Sequence, residues 1–241
     1  MVDLKLKYET ELITGADYVN SNGHLTVPYI YRIIQDAAAL QLYTYYDSLE
    51  YLKSIGKAYV ILRMNIKLFN TITPNEKLKI STWERSKGPV KMYRNYCIED
   101  TEGNRLCDAS SLWTFLDLTT RRPISTKNIP SPVMDYDEEV CADSSVKLNR
   151  DENSNSVGTR TVTENDIDLY GHMNNIKYVD CVFEYLPNNI NIKEFSIEFV
   201  SECKLGEKLN ITLSETDGLF RLSGIKSDGT VSFVSEIITE V

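Results

Sequence analysis

The 241-residue chain contains only two histidines, and its five cysteines stand far apart at positions 97, 107, 141, 181 and 203. No CxxC pair and no cluster with zinc-ligand spacing is present, so we expect neither a metal nor another cofactor. An odd number of widely spaced thiols is typical of a reducing compartment rather than of a disulfide framework.

Long hydrophobic runs and an excess of positive charge are also missing. No apolar run approaches the length that spans a membrane, and the first residues, MVDLKLKYETELI, lack the apolar core of a signal peptide. The 35 acidic and 26 basic residues give a formal net charge of −9, which argues against nucleic acids and anionic membranes as partners. We therefore expect a cytoplasmic protein that binds neither.

The chain does contain enough apolar material for a sizeable core. Hydrophobic residues make up 42% of it, with 15 Tyr, 7 Phe and 2 Trp, and its length suits one large domain or two small ones. The stretch 128–157 is rich in Pro, Ser, Asn and Asp, which is typical of a linker or a long surface crossing. We predict a first domain at 1–130, a linker at 131–157 and a second domain at 158–241.

The two parts of the chain resemble each other. Gly23-His24 and Gly171-His172 each precede a helical pattern, and segments of strand character follow in both parts. The predicted apolar stripes are Ile30, Ile33, Ile34, Ala37, Ala38, Leu40 and Gln41 in the first helix, and Ile176, Val179, Val182, Phe183 and Leu186 in the second. The pattern predicts an α+β fold in which an antiparallel sheet with one helix is made twice.

Motifs in one family's order cover nearly the whole chain: VILRMNIKLFNTITPNEKLKISTWE, DLTTRRP, DIDLYGHMNNIKYVDC and IEFVSECKLGE. They resemble the acyl-(acyl carrier protein) thioesterases, the plant plastid enzymes and their bacterial relatives. The resemblance implies a tandem double hotdog, two repeats of a curved antiparallel sheet wrapped around a central helix. It also implies cofactor-free hydrolysis of the thioester between a fatty acyl chain and acyl carrier protein, a reaction of fatty acid biosynthesis.

The resemblance places the active site in the second part. The residues that match the family motif are Asp168, His172, Asn174, Asn175, Glu202 and Cys203, whereas Tyr170 stands where the family usually has asparagine. We expect the catalytic residues to be Asp168, His172, Glu202 and Cys203, and the substrate-binding residues to be Tyr170, Met173, Asn174 and Asn175. The hydroxyl of Tyr170 or the neighbouring backbone is expected to replace the missing amide.

Thioester hydrolysis requires an attacking group, a base and hydrogen-bond donors for the oxyanion. Asp168 or Glu202 would activate water, most effectively beside the apolar acyl tunnel, with His172 as a base or an orienting group. The amides of residues 173–175, at the start of a helix, would donate to the oxyanion. The structural alternatives are a helix cap at Asp168 and a packed histidine at His172.

Cys203 is either the nucleophile or a neighbour of the true acid. A cysteine near a histidine is an established route to acyl transfer. Thiol attack would turn one thioester into another, so we favour direct attack by water.

The two parts differ in their acids. When the Gly-His pairs are superposed, Asn20 lies opposite Asp168 and Asn22 opposite Tyr170, and residues 70–74 supply no carboxylate opposite Glu202. We therefore expect one active site, in the second part. The first part would contribute acyl-binding surface through its long helix and Tyr43, Tyr45 and Tyr46.

The expected partner is acyl carrier protein with its phosphopantetheine-linked acyl chain. Such carriers are acidic, so docking needs local bases, for which the candidates are Arg85, Lys87, Lys91, Arg94, Arg121 and Arg122. A homodimer is a further possibility. The alternative functions are an acyl-CoA thioesterase, a hotdog hydratase that also uses an aspartate and a histidine, and a non-catalytic acyl-binding protein.

Overall fold

The computed structural model describes residues 7–44, 49–128, 138–188 and 190–240 of the chain. Its helices are α1 (Val27–Tyr43), α2 (Leu49–Ser54) and α3 (Asn175–Glu184). The strands before residue 129 are β1 (Lys7–Ile13), β2 (Lys57–Leu68), β3 (Lys77–Lys87), β4 (Met92–Glu99), β5 (Arg105–Asp117) and β6 (Arg122–Pro123). The later strands are β7 (Asn155–Thr161), β8 (Ile192–Phe199), β9 (Lys208–Thr216), β10 (Leu219–Lys226) and β11 (Val231–Thr239).

The strands form one antiparallel sheet whose order repeats. It runs β1-β3-β4-β5-β2-β8-β11-β10-β9-β7, with β6 paired to β5. Read from each outer edge inward, both halves place their strands in the same sequence, and they join through β2 and β8, with Asn65 opposite Ser196. The predicted α+β fold, a sheet with one long helix made twice, is confirmed.

Helices α1 and α3 supply one face each to a continuous core. Pro28 occupies the first turn of α1, where its missing N–H costs nothing, and the Ile and Ala stripe behind it is buried. Leu40 departs from the prediction, because its side chain is 43% exposed. In α3 the side chains of Val179 and Val182 are fully buried, whereas Leu186 lies beyond the end of the helix.

The polar segment that follows residue 137 crosses the sheet and is bound to it strand by strand. The contacts are Trp83 Nε1 to the carbonyl of Glu138 (2.9 Å), Cys141 N to Asp108 Oδ2 (2.7 Å), Asp143 N to Asn65 Oδ1 (2.9 Å) and Leu148 N to Glu198 Oε2 (2.9 Å). Of the two interpretations, a linker or a crossing, the described part fits a crossing. Strand β7 begins at Asn155, ahead of the boundary expected at 158, and the division into two domains stays a prediction.

Two further observations concern membranes and metals. Within the described ranges, no helix combines the length and the apolar character needed to cross a membrane. The same ranges hold no group of three or more His, Cys, Asp or Glu side chains that is arranged to bind a metal ion.

All five cysteines are free thiols.

Candidate active site

The turn that carries His172 is held together by Asp168. The carboxylate oxygen Oδ1 of Asp168 accepts hydrogen bonds from the backbone N–H groups of Tyr170 (2.8 Å) and His172 (3.3 Å). The N–H of Asp168 donates in turn to the carbonyl of His172 at 2.8 Å. The helix-cap alternative for Asp168 is therefore wrong: α3 is capped by Asn174, whose side chain accepts from Ile176 N at 3.1 Å.

The first repeat builds the same turn with asparagine in place of aspartate. Asn20 Oδ1 accepts from the N–H groups of Asn22 (3.0 Å) and His24 (3.1 Å), and Asn20 N donates to the carbonyl of His24 at 2.8 Å. The glycine before each histidine has a left-handed φ, 79° in the first turn and 84° in the second, which explains why glycine is used there. The turn thus needs an acceptor oxygen but no negative charge.

The position of Glu202 also has an equivalent in the first repeat, and Thr71 occupies it. Met173 N donates to the carbonyl of Cys203 at 2.8 Å, and Leu25 N donates to the carbonyl of Ile72 at 2.7 Å. The residues just before these two acceptors are Glu202 and Thr71. The first repeat therefore keeps a histidine but has no acid at the position of either Asp168 or Glu202.

The Glu202 carboxylate contacts both His172 and an arginine, Arg121. His172 Nε2 lies 3.1 Å from Glu202 Oε1. The guanidinium of Arg121 approaches the same carboxylate with both terminal nitrogens: Nη1 lies 3.3 Å from Oε2, and Nη2 contacts Oε1. The side chain of Glu202 is 40% exposed. Glu202 therefore lies in an ion-paired, partly solvated position rather than in the apolar surroundings expected from the family resemblance.

Arg121, which the sequence suggests only as a carrier-docking base, lies in this cluster, and its docking role stays a prediction. It lies 81 residues before Glu202, and no pattern in the sequence joins the two. Its backbone has φ 58°, a left-handed conformation that costs a non-glycine residue about 1–2 kcal/mol. An ion pair between exposed side chains contributes only about 0–1 kcal/mol. The left-handed backbone is set by the hairpin turn between β5 and β6, in which Arg121 N donates to the carbonyl of Asp117.

Cys203 is a buried thiol with hydrogen-bond partners of its own. Its side chain is fully buried, and Sγ lies 2.9 Å from Ser232 Oγ. Ser232 Oγ donates its single proton to the carbonyl of Ser201 at 2.7 Å, so the thiol must be the donor to Ser232. Cys203 N donates to the hydroxyl of Tyr178 at 2.8 Å, and burial raises the pKa of Tyr178 far above its usual value. In these contacts the thiol of Cys203 is a hydrogen-bond donor whose partner is Ser232.

The backbone amides at the start of α3 differ in their availability to an oxyanion. Met173 N donates to the carbonyl of Cys203 and Asn174 N to the carbonyl of Asp166, each at 2.8 Å. The expectation that both donate to substrate is wrong, because their hydrogen bonds are already made. The side chain of Met173 is buried in the core. Among the described residues we find no acceptor for Asn175 N, which is thus the donor at the helix start that can serve an oxyanion.

Helix α2 of the first repeat covers the turn. Lys53 Nζ donates to the carbonyl of Leu169 and lies 5.8 Å from the centre of the Tyr170 ring. Burial raises the pKa of Tyr170, and the charges of Asp168 and Glu50 raise it further. The hydroxyl of Tyr170 therefore stays protonated at neutral pH and keeps the hydrogen-bond donor that it needs to replace an asparagine amide.

A cleft of about 1250 Å³ lies beside the first-repeat turn instead of the turn with the acids. Its lining includes Asn20, His24 and Thr71, together with residues that follow α3. The described residues between α3 and β8 contain no counterpart of α2, so this turn remains uncovered. The open turn lacks both acids, whereas the covered turn has Asp168 and lies beside Glu202.

The predicted acyl-binding surface falls only partly on described residues. The side chain of Tyr43, at the end of α1, is 46% exposed, and Tyr45 and Tyr46 lie outside the described residues. The rest of the α1 stripe packs into the core that both repeats share. The contribution of α1 to acyl binding stays a prediction.

The six candidate docking bases separate into different classes. Arg94 is only 8% exposed and binds Glu84 and Thr82, each at 3.1 Å, so its assignment to docking is wrong. Arg121 binds Glu202 in the site, and Arg85 pairs with Glu139 at 3.1 Å. Lys91 and Arg122 are exposed, while the side chain of Lys87 lies outside the described part of the chain.

Comparison with family models decides which family this is. The model of the acyl-ACP thioesterase N-terminal domain matches residues 5–131, and the model of the C-terminal domain matches residues 149–237. The chain belongs to the acyl-ACP thioesterase family. The C-terminal model includes the turn of His172 and the Glu202 carboxylate, and the N-terminal model includes Arg121.

Individual family members are distant in sequence. The chloroplastic palmitoyl-acyl carrier protein thioesterase of Arabidopsis thaliana is 27% identical over 157 residues, which cover 60% of this chain and 38% of that protein. This chain thus matches well under half the length of that relative. The chloroplastic oleoyl-acyl carrier protein thioesterase 1 of the same plant is 20% identical over 250 residues, which cover 93% of this chain and 68% of that protein.

Solved structures of family members share the whole fold. An acyl-ACP thioesterase from Bacteroides thetaiotaomicron superposes with a TM-score of 0.88 at 22% identity, covering 97% of this chain and 98% of the other. The 12:0-ACP thioesterase from Umbellularia californica superposes with a TM-score of 0.82 at 19% identity, covering 98% of both chains. The double hotdog fold that the sequence implies is confirmed.

Proposed function

We propose that this protein hydrolyses fatty acyl-(acyl carrier protein) thioesters to free fatty acid and carrier protein. One observation carries the proposal: of two turns built with the same hydrogen bonds, only the second has the acids Asp168 and Glu202 beside its histidine. Membership of the acyl-ACP thioesterase family supports the substrate class. Thioester hydrolysis needs a base and an oxyanion donor, and the second turn offers both.

The mechanism that fits this cluster is attack by water. Glu202 orients the imidazole of His172, and His172 takes a proton as the water oxygen bonds to the thioester carbon. The developing oxyanion accepts from Asn175 N, where the start of α3 adds a favourable partial charge. The carbon–sulfur bond then breaks, and the sulfur of the pantetheine arm leaves with the proton from His172. The negative charge of Asp168, which the turn does not need, favours the imidazolium formed between the two steps.

Cys203→Ala tests the water route against covalent catalysis. We expect the variant to keep at least about a tenth of the wild-type kcat, a barrier change of about 1.4 kcal/mol or less, because the buried thiol donates to Ser232 instead of attacking. Steady-state hydrolysis of an acyl carrier protein thioester measures this. A folded variant with no turnover, together with a labelled acyl group trapped on Cys203 after acid quench, would establish covalent catalysis instead.

The proposed function itself is tested by a substrate panel. Purified protein is mixed with acyl carrier protein thioesters of increasing chain length, with the matching acyl-CoA thioesters and with an enoyl thioester. We expect release of free thiol, fastest from the carrier thioesters and unchanged by a chelator. Loss of the ultraviolet absorbance of the enoyl thioester without thiol release would indicate a hydratase. Binding without any release would indicate an acyl-binding protein, and faster turnover of the CoA esters would indicate an acyl-CoA thioesterase.

Three further proposals concern the cellular role, the docking surface and the assembly of the protein. We propose that the enzyme serves fatty acid biosynthesis in a bacterial cytoplasm, on the basis of the five free thiols and the bacterial relatives of the family. Lys91 and Arg122 are the remaining exposed candidates for docking the acidic carrier. A homodimer stays a prediction that sedimentation equilibrium can check.

A further inference from the structure

The Glu202 carboxylate is held from two sides by residues of different repeats. Oε1 is shared between His172 Nε2, at 3.1 Å, and Nη2 of Arg121, while Oε2 accepts from Nη1 of Arg121 at 3.3 Å. Two parallel contacts from a planar guanidinium fix both the position and the plane of a carboxylate, which a single contact with an ammonium group does not. The arginine therefore restricts the orientation in which Glu202 meets the histidine.

The turn that presents Arg121 is itself firmly built. Asp117 Oδ1 accepts from the N–H groups of Thr119 (3.0 Å) and Thr120 (2.9 Å), and Arg121 N donates to the carbonyl of Asp117 at 2.8 Å. Lys57 Nζ binds Asp117 Oδ2 at 2.6 Å. The hydrogen bond from Lys57, followed by those from Thr120, holds the pKa of Asp117 well below its usual value, so Asp117 keeps its charge. The guanidinium is thus presented by a rigid turn of the first repeat.

Stability does not explain this arrangement. Arg121 is 52% exposed and Glu202 40% exposed, and ion pairs between such side chains contribute little to folding. The left-handed backbone of Arg121, with φ 58°, is unfavourable for any residue with a side chain. The conformation belongs to the hairpin turn between β5 and β6, so only the contacts of the guanidinium indicate a role in the site.

We propose that Arg121 is a positioning residue, which holds the Glu202 carboxylate against the ring of His172 so that the active site is complete only with both repeats. The proposal rests on the proposed function, because it assigns a role within the same hydrolysis. Arg121 touches Glu202 rather than the reacting atoms and acts through it. The positioning role differs from a docking role. In a docking role, Arg121 would contact the carrier, and its loss would leave the geometry of the site unchanged.

Kinetics with two substrates separate positioning from docking. In Arg121→Gln we expect kcat to fall about tenfold to a hundredfold, equally for an acyl carrier protein thioester and for a small acyl-pantetheine thioester without the carrier. Arg121→Lys should recover part of the rate, since a lysine keeps the charge but not the two-point contact. A variant whose only change is a higher KM for the carrier thioester would overturn the proposal in favour of docking.

Matched controls use the other arginines of the chain. Arg221 forms a comparable surface pair with Glu236 at 2.8 Å, so Arg221→Gln should leave kcat unchanged. Arg122→Gln removes the neighbouring charge and should act only on the KM for the carrier. Arg121→Gly suits the left-handed backbone, so this variant should unfold at the wild-type temperature or above while losing kcat. If Arg121→Gly keeps the full kcat, the proposal is wrong.

A spectroscopic measurement separates failure of the inference from failure of the proposed function. The chain has two histidines, so its two sets of imidazole NMR signals can be assigned with a His24→Asn variant. We expect Arg121→Gln to move the ring signals of His172 and to leave those of His24 in place. Absence of any change at His172 would refute the positioning role even if the enzyme is active. A change at His172 would support it even if no substrate in the panel is hydrolysed.

Discussion

The variant Asp168→Asn is expected to lose about a hundredfold or more of kcat while folding as the wild type does. The amide oxygen of asparagine accepts the two backbone N–H bonds that hold the turn, as Asn20 does in the first repeat. Only the negative charge beside His172 disappears, and removing a group that assists proton transfer costs about 10²–10⁴-fold. Thermal unfolding followed by circular dichroism, together with steady-state kinetics, measures both effects.

Asn20→Ala is the complementary variant in the first repeat. It removes the pair of hydrogen bonds that Asp168→Asn keeps in the second repeat, so it should lower the free energy of unfolding by about 1 kcal/mol. It should leave kcat close to the wild-type value, because the first repeat has no acids and we place no chemistry there. Equal losses of kcat in the two variants would mean that the active site is assigned to the wrong repeat. Full activity in Asp168→Asn would remove Asp168 from the mechanism.

Glu202→Gln is expected to reduce kcat by about 10²–10⁴-fold, with little change in stability. The amide oxygen can still accept from His172 and one nitrogen of Arg121, but the amide NH2 cannot accept from the other nitrogen, and the charge that favours the imidazolium is lost. The loss should appear in kcat rather than in KM, because Glu202 acts mainly on the transition state. Steady-state kinetics on a single acyl carrier protein thioester measures the two parameters.

A second glutamate on the same loop serves as the control. Glu207 binds Lys226 at 3.1 Å and accepts from Lys204 N at 2.8 Å, and the hydrogen bond from Lys204 N, followed by those from Lys226, lowers its pKa. Glu207→Gln should keep kcat within about twofold of the wild type, since an exposed ion pair contributes little. If Glu202→Gln behaves like Glu207→Gln, then Glu202 is not the partner of a catalytic histidine.

The repeated turn is the feature that the sequence predicted best. The Gly-His pairs and their asparagine and aspartate counterparts follow from local spacing, because hydrogen bonds within five residues form the turn. The helical stripes were predictable for the same reason, as the side chains three and four apart share one face of a helix. Leu40 was mispredicted because the outer limit of a stripe depends on what packs against it.

The amides at the start of α3 show a different limit. The start of the helix is predictable from the sequence, but which of its N–H groups already have acceptors is not. Met173 N meets the carbonyl of Cys203, and Asn174 N meets that of Asp166. Whether an amide remains available to donate to an oxyanion therefore depends on how the loop before the helix packs against its neighbours. Residue spacing along the chain does not predict that packing.

By itself, the sequence determined the α+β class, the duplicated unit, the family and the two motifs that carry Asp168, His172 and Glu202, because periodicity and motif spacing are local properties. Only the tertiary structure decided what those groups contact. Arg94 and Arg121 look alike in sequence, yet one is buried between strands and the other reaches Glu202 in the opposite repeat. Arg94 meets its partners through the pairing of β3 with β4 inside its own repeat, whereas Arg121 meets Glu202 because the half-sheets join at β2 and β8 and bring distant residues together.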